Sequence, residues 1–388
     1  MDDLSSIRPL LAVLVSAAAV PLIILSRRPD TREFWTFAAA AAKLALVVSL
    51  LPLVSAGGRP ALTLAEVLPG VSLAFRVDAM GLLFALVSSS LWIATSAYSI
   101  GYMRGLSEHS QTRYFCFFAL ALSATVGVAF SANLLTLYLF YEMLSFATYP
   151  LVTHHQDEEA RRSGRKYLIY IVGGSVGLVL PAMIVCYALS GTLEFTAQGF
   201  LPSTMDRSLA LVLVLMFVFG LAKAAVMPFH AWLPAAMVAP TPVSALLHAV
   251  AVVKVGAFSI FRVLTGVFGV DLLSRFGLGT LIGVLASITV LTASLIALSL
   301  DGLKRRLAFS TIGQLSYIVL GAALLSPKGL AGGLLHIAMH AFGKITLFFC
   351  AGAIFVATGL RNISDMKGLG RRMPWTMGAF LVGSVRCV

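Results

Sequence analysis

Charged side chains are scarce: Asp, Glu, Lys and Arg make up 11% of the 388 residues, where a soluble domain carries about a quarter. Carboxylates are the scarcer kind, 16 against 28 Lys and Arg. Cysteine is nearly absent. The four (Cys116, Cys186, Cys350, Cys387) stand singly with no CxxC pair, which excludes a zinc ribbon or a disulfide framework. No P-loop, dinucleotide glycine fingerprint, haem or iron–sulfur ligand set is present, so neither a cofactor nor a resident metal is expected. The start, MDDLSS, is acidic where a signal peptide is basic, and no small-residue cleavage site follows the first apolar run. That run therefore reads as a retained helix.

What fills the chain instead is hydrocarbon. Hydrophobic residues reach 59% and the mean hydropathy is +0.95, so an all-α polytopic membrane protein is expected. Crossing about 30 Å of hydrocarbon takes about 20 apolar residues. Runs of that kind lie at 7–25, 34–54, 79–100, 113–130, 133–152, 167–190, 208–237 (interrupted), 241–264, 278–299, 307–326 and 329–358, with a further one from Trp375. Residues 55–78 hold PG and GG pairs around the alternating stretch VSLAFRV, which predicts a strand or hairpin at the membrane surface.

The net charge of +12 is explained by where it sits. Loops after odd-numbered runs hold Arg27, Arg28, Arg32, Arg104, Arg113, Arg161, Arg162, Arg165, Lys166, Lys304, Arg305, Arg306, Arg361, Lys367, Arg371 and Arg372. The other side holds only Arg8, Arg59, Arg76, Arg207, Arg262, Arg275 and Lys328. By the positive-inside rule the odd loops face the cytoplasm and the N-terminus lies outside. No nucleic-acid partner is needed.

Five charges lie deep inside the runs, away from their ends: Lys43, Lys223, Lys254, Lys344 and Glu142. An ionised group at mid-bilayer costs roughly 2.5–3.5 kcal/mol on insertion scales. Glu142, Lys223, Lys254 and Lys344 are central in their runs, where snorkelling does not help, so an ion path or structural ion pairs must hold them. Lys43 stands alone in FAAAAAKLALVV, which suits snorkelling or a local hydrogen bond. In GGLLHIAMHAFGKITLFF, His336, His340 and Lys344 follow one another at four-residue steps. Each step climbs about 6 Å and turns about 40°, so the three line one helix face. Such a column suits proton relay. Lys223 and His230 are seven apart with Pro228 between them. His248 and Lys254, six apart, point in different directions. His154 and His155, in THHQDEEARRSGRK, read as a solvated face.

The segment GLAKAAVMPFHAWLPAAMVAPTPVSALLHAVAVVKVGAF adds four prolines. Pro228 removes a helix hydrogen bond, which predicts a break after Met227, running over 228–240 to Pro240. Broken backbone at membrane depth survives only inside protein or along a watery cavity, and discontinuous helices mark transport sites.

KAAVMPFHAWLPAAMVAPTPVSALLHAVAVVK, DGLKRRLAFSTIGQLSYI and LLHIAMHAFGKITLFF together resemble the antiporter-like subunits shared by Mrp-type monovalent cation/proton antiporters, membrane-bound hydrogenases and respiratory complex I. The resemblance runs from about Phe75 to Phe380 and is closest to the D-type antiporter subunit. It implies a fourteen-helix fold with two inverted five-helix repeats, here divided as 1–112 (three helices and the extracytoplasmic hairpin), 113–264 (first repeat, with a broken seventh helix) and 278–388 (second repeat). It implies roles as well: Glu142 and Lys223 as an adjustable ion pair, Lys254 as a central proton site, His248 beside it, and His336, His340 and Lys344 as the connecting axis. A change of about 3 pKa units in such a pair is worth roughly 4 kcal/mol, more than the 2.3 kcal/mol that moves one charge against 100 mV. Implied partners are other membrane subunits of an antiporter or complex I-like assembly, with protons and Na+ or K+ as cargo, in a bacterial inner membrane. The family pattern continues beyond VRCV, so a shortened second repeat is expected; the alternatives to an antiporter subunit are a proton-pumping subunit of a complex I-like oxidoreductase or membrane hydrogenase and a non-transporting scaffold.

Overall fold

The computed structural model describes residues 3–246, 249 and 251–385. Helices occupy each run read from the sequence. In order they are α1 (Arg8–Leu25), α2 (Pro29–Val48), α3 (Leu51–Ser55), α4 (Ala79–Gly105), α5 (Gln111–Ala129), α6 (Leu134–Val152), α7 (Glu158–Gly174), α8 (Leu180–Ser190), α9 (Arg207–Gly220), α10 (Trp232–Ala235), α11 (Thr241–Ala245), α12 (Val252–Val263), α13 (Val270–Arg275), α14 (Leu278–Ser299), α15 (Leu303–Ala323), α16 (Pro327–Thr358), α17 (Leu369–Arg372) and α18 (Pro374–Val385). A π-turn at Ser175–Val179 joins α7 to α8. Among the described residues, 7 helical segments are by themselves long and apolar enough to span a membrane. The others are shorter, more polar or interrupted.

The starts of these helices follow from their first residues. Asp78, Asn133, Asp157, Asp206 and Ser326 each accept a hydrogen bond from a backbone N–H of the first turn, satisfying donors that no intrahelical carbonyl can reach. At the far ends Gly191 and Gly359 cap α8 and α16 in the left-handed conformation.

The expected hairpin forms between β2 (Arg59–Leu68) and β3 (Val71–Arg76), which pair antiparallel, and β1 (Asp3–Ser5) adds to β2 in parallel. Arg76 ties this small sheet to the bundle: its guanidinium donates to the Phe195 carbonyl (2.6 Å) and lies 3.6 Å from Glu194.

Burial orders the helices. Every residue of α12 is buried, as for a helix at the centre of a bundle. α14 is one-sided: Val284, Ile288, Leu291, Leu295 and Leu298 are exposed at helical spacing, an apolar stripe suited to lipid. Arg262 is a correction. Its place is the last turn of α12 and not a loop; it is 8% exposed and pairs with the α4 cap, donating from Nη2 to Asp78 Oδ1 at 3.0 Å. Burial disfavours the Asp78 charge, but Arg262 and the Gly81 N–H outweigh it and hold the carboxyl below its usual range.

Candidate functional site

The break lies upstream of its expected position. α9 stops at Gly220, Ala222–Ala224 form one 3-10 turn, and regular helix resumes at Trp232. Lys223 therefore sits within the interruption, not on the helix before it. Proline acts backwards: the Pro228 ring excludes the helical position of the carbonyl four residues earlier, at Ala224. Ala225 accordingly takes a left-handed φ of 54°, and the Met227–Pro228 peptide is cis.

Side chains from other helices take up the freed backbone groups. Trp232 Nε1 donates to the Ala222 carbonyl (2.9 Å), the Lys223 N–H donates to the Tyr141 hydroxyl (3.1 Å), and the Met227 N–H donates to Thr289 Oγ1 (3.2 Å). This is the compensation that irregular backbone requires at membrane depth. Helix α12 seals the other side at Gly256. A Cβ there would stand 2.1 Å from the Ala224 nitrogen and 2.3 Å from the Lys223 carbonyl carbon.

The Lys223 ammonium is fully buried. It donates to the Tyr141 carbonyl and to Ser145 Oγ, both at 2.7 Å, and lies 3.2 Å from the centroid of the Tyr141 ring. Glu142 is the next residue of the same α6 turn. Both of its carboxylate oxygens are buried without a hydrogen-bond partner among the described residues. The expected Glu142–Lys223 pair is thus not closed. Neutral groups hold the lysine while the carboxylate stands beside it unengaged.

The second group is built on α16. His340 Nδ1 contacts the Lys254 ammonium of α12, His336 Nε2 donates to Gln314 Oε1 at 2.7 Å, and Lys344 donates to Ser310 Oγ at 3.0 Å. The His336 and His340 rings stack with centroids 6.0 Å apart. The three residues share one face of an unbroken helix, as their spacing predicts. Lys254, His340 and Lys344 are all buried to within 1%. Pro240 caps α11. His248 lies outside the described residues.

Several partners do not stand out in the sequence. Tyr141 and Ser145 hold Lys223, and Ser310 and Gln314 hold α16. Each pair is polar at a four-residue step within an apolar run, a signal equal in kind to the histidine column. Lys43 is 0% exposed and does not snorkel; it donates to the Leu122 carbonyl (2.9 Å) with the Trp92 ring 5.5 Å away. Of the two expectations for this residue, the local hydrogen bond is the one that holds.

A cavity of about 780 Å³ opens between the interrupted segment and the start of α15. Its walls include Lys166 and Glu159 of α7, His230 within the break, and Lys304 and Phe309 of α15, the last adjacent to Ser310. At its rim the His154–His155 pair departs from a solvated face: His154 is 0% exposed.

Residues 131–387 match the family described as NADH:quinone oxidoreductase/Mrp antiporter, transmembrane. NADH-quinone oxidoreductase subunit N of Desulforudis audaxviator is 32% identical over 98% of this chain and 76% of its own length. An Na(+)/H(+) antiporter subunit of Alkalihalophilus pseudofirmus is 32% identical over 81% of this chain, which spans 40% of that longer protein. Among solved structures, a chain of the membrane-bound sulfane sulfur reductase, an archaeal respiratory membrane complex, superposes with a TM-score of 0.87 at 25% identity, covering 98% of this chain and 78% of that one.

Proposed function

The chain belongs to the NADH:quinone oxidoreductase/Mrp antiporter transmembrane family, and on that premise we propose that it is the proton-translocating subunit of a multisubunit monovalent cation/proton antiporter. The single observation that carries this reading is the arrangement at Lys223. A buried ammonium rests on neutral oxygens, next to a buried carboxylate that has no partner among the described residues.

An isolated buried carboxylate is a high-energy group unless it takes up a proton or a cation. Swinging the Lys223 ammonium from Tyr141 and Ser145 to Glu142 would satisfy both charges at once. Alternation between the two arrangements changes how tightly Lys223 holds its proton, which is what a transport site requires. Lys254 and His340 then form the next station, and Lys344 and His336 extend the path along α16. His248, adjoining α12 in sequence, belongs to the same set. The cavity beside His230 and Lys304 supplies water access from the side that the basic loops assign to the cytoplasm. In this reading the membrane is a bacterial inner membrane with the N-terminus outside, 113–264 forms the first repeat, the partners are further membrane subunits, and Na+ or K+ is the exchanged cation.

Everted membrane vesicles carrying the chain with its partner subunits test this. Cation-driven changes of internal pH should vanish in Lys223→Ala at wild-type assembly levels. Undiminished exchange in that variant would end the proton-path reading. A second reading, a proton-pumping subunit of an NADH-quinone oxidoreductase-like complex, is compatible with the match to subunit N over 98% of this chain and 76% of that subunit. It predicts that pH changes in the same vesicles follow an electron donor and not an added cation.

A further inference from the structure

Outside the proton path, three imidazoles surround one carboxylate where the α4–α5 loop meets the α6–α7 loop. Glu108 Oε2 lies 3.8 Å from His109 Nδ1, 3.8 Å from His154 Nε2 and 3.8 Å from His155 Nδ1. At that distance none of them is a hydrogen bond. His154 is fully buried, and neither of its ring nitrogens has a hydrogen-bond partner among the described residues. A buried imidazole without a partner is costly, so this ring is placed for a ligand the chain itself does not supply.

The geometry points to a divalent transition-metal ion of the zinc class, held by Glu108, His109 and His154, with His155 or water in the fourth position. Ligand atoms of Glu108, His109 and His154 lie within 4.8 Å of one another. Around a tetrahedral zinc with bonds of about 2.1 Å, ligand atoms stand roughly 3.4 Å apart. The Glu108–histidine distances therefore need to close by about 0.4 Å and the widest pair of the set by up to about 1.4 Å, which side-chain rotation of the half-exposed His109 can supply. Imidazole nitrogen with one carboxylate suits zinc, cobalt or nickel and disfavours magnesium and calcium, which take oxygen shells.

The rest of the surroundings are compatible. His109 is fixed from its other side, Nε2 standing 3.1 Å from the His154 carbonyl, as the outer nitrogen of a metal-bound histidine usually is. The nearby cation Arg113 is spent on that same carbonyl at 2.8 Å and points at backbone. Glu108 and His155 also line the cavity beside the break. Metal bound there would stiffen its wall and place a positive charge beside the water route. The predicted consequence, resting on the proton-path reading, is slowed transport.

Binding is tested apart from transport. The purified assembly, stripped with chelator and dialysed against zinc, should retain one zinc more per chain than the same assembly carrying His109→Ala. Cobalt substitution should give the visible absorption of a tetrahedral nitrogen–oxygen site, also lost in His109→Ala. The His109 side chain is half exposed, so its removal does not threaten folding; Glu108→Gln provides a second variant. Affinity should fall by at least the roughly 10–100-fold that loss of an outer-shell partner costs, and excess magnesium should not displace the ion. Equal zinc content in wild type and both variants, or no tetrahedral cobalt spectrum, would overturn the site. If zinc binds as described but leaves transport unchanged, the link to the cavity fails while the metal site stands.

Discussion

Lys223 and the α16 group solve one problem by opposite means. Both keep ammonium groups out of water, yet Lys223 is held by a broken segment and α16 by an uninterrupted 32-residue helix. At Lys223 one of the two acceptors is main chain, the Tyr141 carbonyl, and the partner carboxylate stands apart. On α16 the contacts run to side chains: Gln314, Ser310 and, across to α12, Lys254. The break gives a place where charge can be re-paired locally. In the proposed path the continuous helix is the fixed ladder along which it passes.

The largest effect should come from removing what only the first region has. Glu142→Gln keeps the shape of the side chain and deletes its charge, so proton-coupled exchange in vesicles should fall to background, as for Lys223→Ala. Retained exchange in Glu142→Gln would mean the carboxylate is not the alternate partner. Next comes the packing between the regions. Gly256→Ala places a methyl against the Ala224 and Lys223 backbone and should destabilise the purified assembly by about 1–3 kcal/mol, seen as an earlier thermal transition. The ladder should be more sensitive to its neighbours than the break is. Gln314→Leu strips His336 of its acceptor and Ser310→Ala strips one from Lys344, each at about 0.5–1.5 kcal/mol with a measurable loss of exchange. Ser145→Ala leaves Lys223 the Tyr141 carbonyl and should do less than either; the reverse ranking would collapse the contrast. Lys43→Met should change exchange least of all. An apolar chain of similar volume removes the cost of burying a lone charge, and the groups around Lys43, the Leu122 carbonyl and the Trp92 ring, belong to no part of the proposed path.

The helices are legible because hydrophobic runs and capping residues are local signals. The caps that the structure shows at Asp78, Asn133 and Ser326 act just as locally. The histidine column is legible for the same reason, since a four-residue step fixes a face before any packing is known. The position of the break is not. Pro228 shows that a break exists, but where the helix ends depends on Trp232, Tyr141 and Gly256 accepting the freed chain, and two of these lie on other helices. The partners of the lysines are hidden in the same way: Lys254 meets a histidine 86 residues later. Arg262 reads as a loop residue because its run ends nearby, whereas its pairing with Asp78, 184 residues earlier, draws it into the bundle. The family pattern marks Glu142 as a partner for Lys223, and the structure holds the two apart. Sequence names the members of this pair but carries no information on their state.

Gly256 has a mechanical meaning beyond its small size. Two residues before it on the same helix is Lys254, and directly against it is the main chain of Lys223 and Ala224. No flexible side chain cushions that approach, so the two proposed proton stations meet through backbone alone. If the turn carrying Lys223 advances as its ammonium changes partner, α12 must yield with it, and Lys254 shifts against His340 in the same stroke. In a close-packed interior such a displacement cannot be absorbed as slack. In the proposed path, one hydrogen atom in place of a methyl group is what would let the broken and the continuous halves move as one linkage.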